Sequence, residues 1–248
     1  MSSSRRRVVI IPARMASTRL PGKPLADICG RTMIEWVYRR AASARGVDAV
    51  MVATPDVEIA EAVLGFGGRA VMTSDEHRSG TDRVAEAAAE LEDEDIVVNV
   101  QGDEPMITPE AVESLIPPLE SSDAPDITSL MRAVTPDEAA DPNLVKVVVD
   151  LGCRALYFSR SMIPYLRNDV PGLRIWGHVG IYAYTVRALK AFSRLEPTPL
   201  ETAESLEQLR AVENGWDIRM VETSFKPIGV DTEADLERVR RLFASNSL

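Results

Sequence analysis

Val8-Val9-Ile10-Ile11, stopped by Pro12, is the stretch on which the fold turns. Four apolar, largely β-branched residues in a row suit a strand covered on both faces, as in a parallel sheet, and not one that alternates with solvent. Downstream, Thr32-Met33-Ile34-Glu35 has the form of a capping box, and Ile34, Val37, Tyr38 and Ala41 recur at helical spacing toward Gly46. Residues 49–53 predict the next strand, and Asp56 predicts the cap of a helix through Leu64. Residues 69–72 read as extended, 81–91 as a helix, and 95–100 (D-I-V-V-N-V) as another strand buried on both faces.

Strand and helix alternating with short links predict an α/β protein. The expected form is a three-layer α/β/α sandwich around a mostly parallel, Rossmann-like mixed sheet. Ligands of such sheets bind at the carboxyl ends of the strands, which directs attention to the residues after Ile11, after Met72 and after Val100. The second half is less regular. Residues 126–134, 144–150 and 154–159 are extended candidates interrupted by the 136–142 turn region and Gly152, so an arm or insertion is expected around 144–195. Thr198-Pro199-Leu200-Glu201 is a capping box with proline in the first helical position, and the helix is expected to run to Asn214-Gly215. Thr232-Glu233-Ala234-Asp235 opens the last helix.

The 248 residues, 45% of them hydrophobic, suit one domain spanning 1–248. A net charge of -10 argues against a nucleic-acid partner, whose phosphates are met by clustered Lys and Arg. The apolar run at 8–11 is far too short for a signal-peptide core, and no stretch approaches a membrane span of roughly 20 apolar residues. Cys29 and Cys153 lie far apart without a C-x-x-C pattern, which fits a reducing cytoplasm.

Against this acidic background the loop Pro12-Ala13-Arg14-Met15-Ala16-Ser17-Thr18-Arg19-Leu20-Pro21-Gly22-Lys23 stands out, with three cationic side chains in the ten residues from Arg14 to Lys23. Forked Arg donors, a compact Lys charge and free backbone N–H groups at a strand end suit a triphosphate. The plain alternative is a solvated loop that balances acidic neighbours. The spacing matches neither a P-loop nor a dinucleotide fingerprint.

Asp103 follows the 95–100 strand, and Asp231 precedes the last helix. Magnesium takes oxygen ligands and needs only one or two carboxylates beside phosphate oxygens and water, so this pair is a candidate site, although Asp231 could also serve the helix dipole alone. Asp93-Glu94-Asp95 has a D-x-D form but precedes its strand and reads as a solvated turn. Ser79 and Asp82 form a capping box that could by itself explain the Ser79-Gly80 pair. In the strand around His178, alternation places His178, Gly180, Tyr182 and Tyr184 on one face, with room left by Gly180. Glu204, Glu207 and Gln208 are expected to share a helix face.

The string I-I-P-A-R-M-A-S-T-R-L-P-G-K-P-L closely resembles the amino-terminal signature of the 3-deoxy-manno-octulosonate (Kdo) cytidylyltransferases. H-R-S-G-T-D-R, V-Q-G-D-E-P, F-S-R, H-V-G-I-Y, L-E-T-A-E-S-L-E-Q-L-R and G-V-D-T are similar to that family's later motifs and occur in order. The resemblance implies a fold of the nucleotide-diphospho-sugar transferase type with a projecting dimerisation arm, and a homodimer. It implies CMP transfer from CTP to the anomeric hydroxyl of Kdo with release of pyrophosphate, a lipopolysaccharide-precursor activation. On this resemblance Arg14 and Lys23 act on the phosphates. Pro12, Ala13, Ser17, Arg19, Arg78, Ser79, Gly80 and Gln101 complete the nucleotide site, and Asp103 and Asp231 hold Mg2+. Gln101, Arg160, His178, Tyr182, Glu207 and Gln208 would meet the sugar acid. Gly177 departs from the pattern, which often has Arg or Lys there, and leaves open an 8-amino or other acidic acceptor. A sugar-1-phosphate nucleotidyltransferase is a further alternative.

Overall fold

The computed structural model of the chain describes residues 5–17, 19–168 and 170–245. Strand β1 (Arg7–Pro12) is buried from Val8 onward, and its successive side chains enter opposite layers. Val9 and Ile11 join one apolar cluster, and Val8 and Ile10 join another. That split is the sandwich: a central strand has no solvent face, so every residue must be apolar. Burying a side chain of this size contributes roughly 1.5–3 kcal/mol.

A short hairpin, β2 (Asp27–Ile28) and β3 (Arg31–Thr32), leads into α1 (Met33–Ala42), whose first turn is capped by the Thr32 side chain accepting from the Glu35 backbone N–H. There follow β4 (Ala49–Thr54), α2 (Val57–Gly65), β5 (Ala70–Met72), α3 (Gly80–Ala87) and β6 (Ile96–Asn99). Strands β5, β4, β1 and β6 are neighbours in that order and all run parallel. The later elements are α4 (Pro109–Ser114), β7 (Ile127–Val134), α5 (Pro136–Ala139), β8 (Lys146–Val149), β9 (Ala155–Ser159) and β10 (Ile175–Thr185). Then come α6 (Val186–Phe192), α7 (Pro199–Glu204), α8 (Gln208–Glu213), β11 (Ile218–Glu222) and α9 (Glu233–Ser245). The full order is β11-β7-β10-β6-β1-β4-β5, with β10 antiparallel to both β6 and β7. Helices α1, α2 and α4 cover the Val9 face, whereas α3, α6 and α8 cover the Val8 face. Helix α9 packs separately, with Leu236, Val239 and Phe243 against Ile28, Met33 and Trp36.

Three local expectations need correction. Asp56 flanks α2 but makes no side-chain cap; its Oδ2 accepts from the Met15 backbone N–H at 2.7 Å. The helix expected from Pro199 to Asn214 breaks at Ser205, whose φ of 52° is left-handed, so Glu204 lies on α7 and Gln208 opens α8. Glu204, Glu207 and Gln208 therefore do not share one helix face. Within 144–195, β10 lies inside the sheet and α6 against the core, while β8 and β9 form an antiparallel extension joined to the sheet by the β8–β10 pairing and by a bridge from Arg154 to Arg219 of β11.

Candidate active site

The carboxyl ends of β1, β5 and β6 open on one cleft of about 690 Å³. Pro12, Ala13, Arg14, Ser17, Arg19 and Lys23 line it from the first loop, Arg78, Ser79 and Gly80 from the second, and Gln101 and Asp103 from the third. Asp231 joins from the turn before α9. Every expected nucleotide and metal residue thus meets in one place.

The first loop is held by its own backbone and by β4. Ala13 N–H donates to the Ala53 carbonyl at 3.0 Å, and Gly22 N–H donates to the Met15 carbonyl at 3.3 Å. Gly22 has φ 69°, a conformation a residue with Cβ adopts only at a cost, and it turns Lys23 back into the cleft. Gly102 is needed for a different reason: a Cβ there would stand 2.9 Å from the Pro12 carbonyl oxygen, so only glycine lets the ends of β1 and β6 approach this closely. Sequence reading had not singled out Gly102.

Lys23 Nζ lies 2.7 Å from Asp103 Oδ2 and 3.1 Å from Asp231 Oδ1, and Arg19 Nη2 lies 3.1 Å from Asp231 Oδ2. The Val230 N–H bond to the Asp103 carbonyl at 3.0 Å joins the two acidic segments although they are distant in sequence. Burial alone would lower the Lys23 ammonium, but Asp103 and then Asp231 outweigh it and hold it above its usual value. Two carboxylates converging on one cation fit magnesium, which takes hard oxygen donors. Among the described residues no group of three or more His, Cys, Asp and Glu is arranged around a metal, so phosphate oxygens and water would complete the shell. Glu104, next to Asp103, was also missed. Burial, then the Asp103 charge, push its carboxyl up to about 8, and its Oε2 is buried without a hydrogen-bond partner.

In the second loop Ser79 Oγ accepts from the Asp82 N–H at 3.1 Å, so it caps α3 while lining the cleft. Arg83 lies beneath the loop, 4% exposed, and donates to Thr73 Oγ1 and to the Ser74 carbonyl. Burial, then the Arg14 charge, lower its pKa, a sign of how concentrated the positive charge is here. His77, bonded to Glu86, lines the same cleft.

Of the residues expected to meet the acceptor, Gln101 lines the cleft, whereas His178, Tyr182, Glu207 and Gln208 stand outside its lining. His178, Tyr182 and Gln208 form one linked group: Tyr182 Oη donates to Gln208 Oε1 at 3.2 Å, and Gln208 Nε2 stands 3.5 Å from His178 Nδ1. Glu207 Oε2 accepts from Thr81 Oγ1 at 2.5 Å, which ties α8 to the start of α3. Arg160 is not brought into the cleft. Its guanidinium donates to the carbonyls of Glu204, Pro142 and Ser205, and its backbone N–H to Glu204 Oε2. Burial pushes His178 down to about 3, so the ring is neutral. Burial, with Glu207 secondary, holds the Tyr182 phenol above its usual value.

A cationic strand-end loop facing one carboxylate at a strand end and a second from the turn before the last helix, on a sheet of this order, defines a nucleotidyltransferase. The family model described as cytidylyltransferase matches residues 8–220. Relatives described as 3-deoxy-manno-octulosonate cytidylyltransferase include those of Myxococcus xanthus, 49% identical with 96% of each chain covered, and Geobacter sulfurreducens, 52% identical with 93% of this chain and 96% of the relative covered. The solved structure of a CMP:2-keto-3-deoxy-manno-octonic acid synthetase complexed with CTP superposes with a TM-score of 0.92 at 48% identity, covering 97% of this chain and 99% of that one. A 4-diphosphocytidyl-2C-methyl-D-erythritol synthase shares the fold, with a TM-score of 0.64 at 16% identity. The chain belongs to the cytidylyltransferase family and, within it, to the 3-deoxy-manno-octulosonate cytidylyltransferases.

Proposed function

We propose that this chain transfers CMP from CTP to the anomeric hydroxyl of Kdo and releases pyrophosphate. The observation that carries the reading is the meeting of Lys23, Asp103 and Asp231 beside the cationic first loop. Arg14 and Lys23 hold the triphosphate, and the charge on Lys23 stabilises negative charge developing on the phosphates as pyrophosphate leaves. Pro12, Ala13, Ser17 and Arg19 line the same loop, and Arg78, Ser79, Gly80 and Gln101 enclose the base and ribose end. Asp103 and Asp231 would hold Mg2+, which when bound neutralises phosphate oxygens and lowers the pKa of a coordinated hydroxyl. His178, Tyr182, Glu207 and Gln208, with Gln101, position the acceptor. Arg160, held by the carbonyls of Glu204, Pro142 and Ser205, braces the turn between α7 and α8 that carries Glu207 and Gln208.

Gly177 does not argue for a modified acceptor. A Cβ at 177 would point at Val134 Cγ1, 2.8 Å away, and Leu144 Cδ1, 3.2 Å away. Neighbouring strand residues face opposite sides, so a cation at 177 would not stand on the His178 face. The exposed apolar residues Leu151, Leu156, Tyr165 and Leu173 on and beyond the β8–β9 extension support this segment as the contact surface of a homodimer. No helix among the described residues is long and apolar enough to cross a membrane. Pyrophosphate release from CTP, with Kdo, 8-amino-Kdo, sialic acid and a sugar 1-phosphate tried in turn, tests the reading. Kdo should be used best, and turnover only with the sugar phosphate would overturn it.

A further inference from the structure

Strands β7 and β10 fall out of register next to the proposed acceptor site. Val179 pairs with Leu130 and Tyr182 with Ser129, so Gly180 and Ile181 have no partners across the ladder. Gly180 is exposed, and a Cβ on it would meet nothing within 4 Å, so open space reaches the strand between the buried His178 and the half-buried Tyr182. Behind this irregularity sits Ser129, with no exposed surface. Its Oγ lies 2.9 Å from the Ile181 carbonyl oxygen, 3.4 Å from the Val179 carbonyl oxygen and 2.9 Å from His178 Nε2.

A serine hydroxyl carries one proton. Facing two carbonyl oxygens that cannot donate, it must give that proton to them, and the shorter contact is to Ile181. Toward His178 it can then only accept. His178 Nε2 must therefore carry the ring proton, and because the ring is neutral, Nδ1 is bare. A bare Nδ1 requires the Gln208 NH2 group to face it, which leaves Gln208 Oε1 to accept from the Tyr182 hydroxyl. The other tautomer would reverse the chain: Gln208 would turn its oxygen to the imidazole and its NH2 to Tyr182, freeing the phenol proton.

We infer that Ser129 is a positioning residue that fixes the His178 tautomer and, through it, the donor and acceptor pattern that Tyr182 and Gln208 offer to the acceptor. In the fixed pattern Tyr182 Oη offers lone pairs, and Gln208 keeps one N–H beyond the bond to His178. The matching ligand edge is a hydroxyl that donates beside an oxygen that accepts, as in a polyhydroxy sugar acid. This rests on the proposed placement of the acceptor at His178, Tyr182 and Gln208. It adds a residue that touches no substrate and lies on another strand.

The chain has two histidines, so nitrogen NMR of 15N-histidine-labelled protein resolves both rings, with His178→Asn assigning the pair. Without substrate, His178 should be a single Nε2–H tautomer. A ring protonated on Nδ1, or a mixture, would overturn the inference without any variant. Ser129→Ala should lose the single tautomer and raise KM for the sugar acid roughly tenfold, the loss expected when one orienting hydrogen bond goes, with KM for CTP unchanged. Ser129→Thr keeps the hydroxyl and should restore both. An unchanged tautomer in Ser129→Ala, or an altered tautomer with unchanged sugar KM, counts against the role. Wild-type protein that is Nε2–H but turns over no sugar acid would instead overturn the proposed function.

Discussion

Lys23 serves two neighbourhoods with one ammonium, because it sits in the loop proposed to face the phosphates and contacts both candidate metal ligands. Removing it takes a charge from the transferring group, and Lys23→Ala should slow turnover roughly 10²–10³-fold in a pyrophosphate-release assay. Near-normal rates would take Lys23 out of the mechanism. His178 gives a second test, on stability. Its folded pKa of about 3 lies below the ordinary 6.5, so the unfolded chain takes up a proton between those values that the native ring refuses. The stabilisation is fully present above about pH 6.5 and is lost as pH falls toward 3. Urea melts across that range should show wild type losing more stability than His178→Asn, and parallel curves would mean the ring is not shielded. Lys23 and Asp103 were legible from their strings as residues of the cleft. Glu104 and Ser129 were not, since an acid beside an acid and a serine within a strand carry no local sign of what packs on them.

Elements were legible where the pattern is local. β1, β4 and β6 announce themselves as apolar runs, and Thr32 and Ser79 as caps, while at Thr198 only half of the expected box forms: Glu201 Oε2 accepts from the Thr198 N–H and Thr198 Oγ1 is left without a partner. The break between α7 and α8 was hidden, because Leu206 and Leu209 continue to look like one helical stripe. What ends α7 is Ser205 in a left-handed conformation, while Glu204 accepts from Ser159 Oγ and the Arg160 N–H on another element. Tertiary partners overrode the capping signal. Ser205→Gly should relieve that backbone cost and raise stability by about 0.5–1 kcal/mol in a thermal or urea melt, whereas Ser205→Val should lower it. Gly102 makes the opposite case. Gly102→Ala places a methyl against the Pro12 carbonyl and must part the ends of β1 and β6. Turnover should fall roughly 10–100-fold with the circular-dichroism spectrum unchanged, since small misplacements at a reacting centre are costly. Wild-type kinetics would show that the strand ends tolerate the shift.

Across the whole chain, the core does not depend on the proposed metal, because the paired aspartates already share the Lys23 ammonium and the clusters on either sheet face are apolar. A chelator should therefore abolish pyrophosphate release while leaving the thermal midpoint where it was. CTP with magnesium at 100 times its dissociation constant should add about 2.7 kcal/mol. A midpoint that collapses with the chelator would assign the metal to the fold. The order of the sheet was not readable from sequence: nothing in the string around His178 says that β10 inserts, reversed, between β6 and β7. That reversed strand has an evolutionary consequence. In the proposed reading most of the nucleotide site comes from the parallel block before it, joined by Asp231 from the turn before α9, and most of the acceptor site from β10 and the elements after it, with one ladder of backbone bonds as the seam. Descendants of such a chain could remodel what receives the nucleotide, residue by residue beyond the seam, and leave inherited machinery for the cytidine untouched.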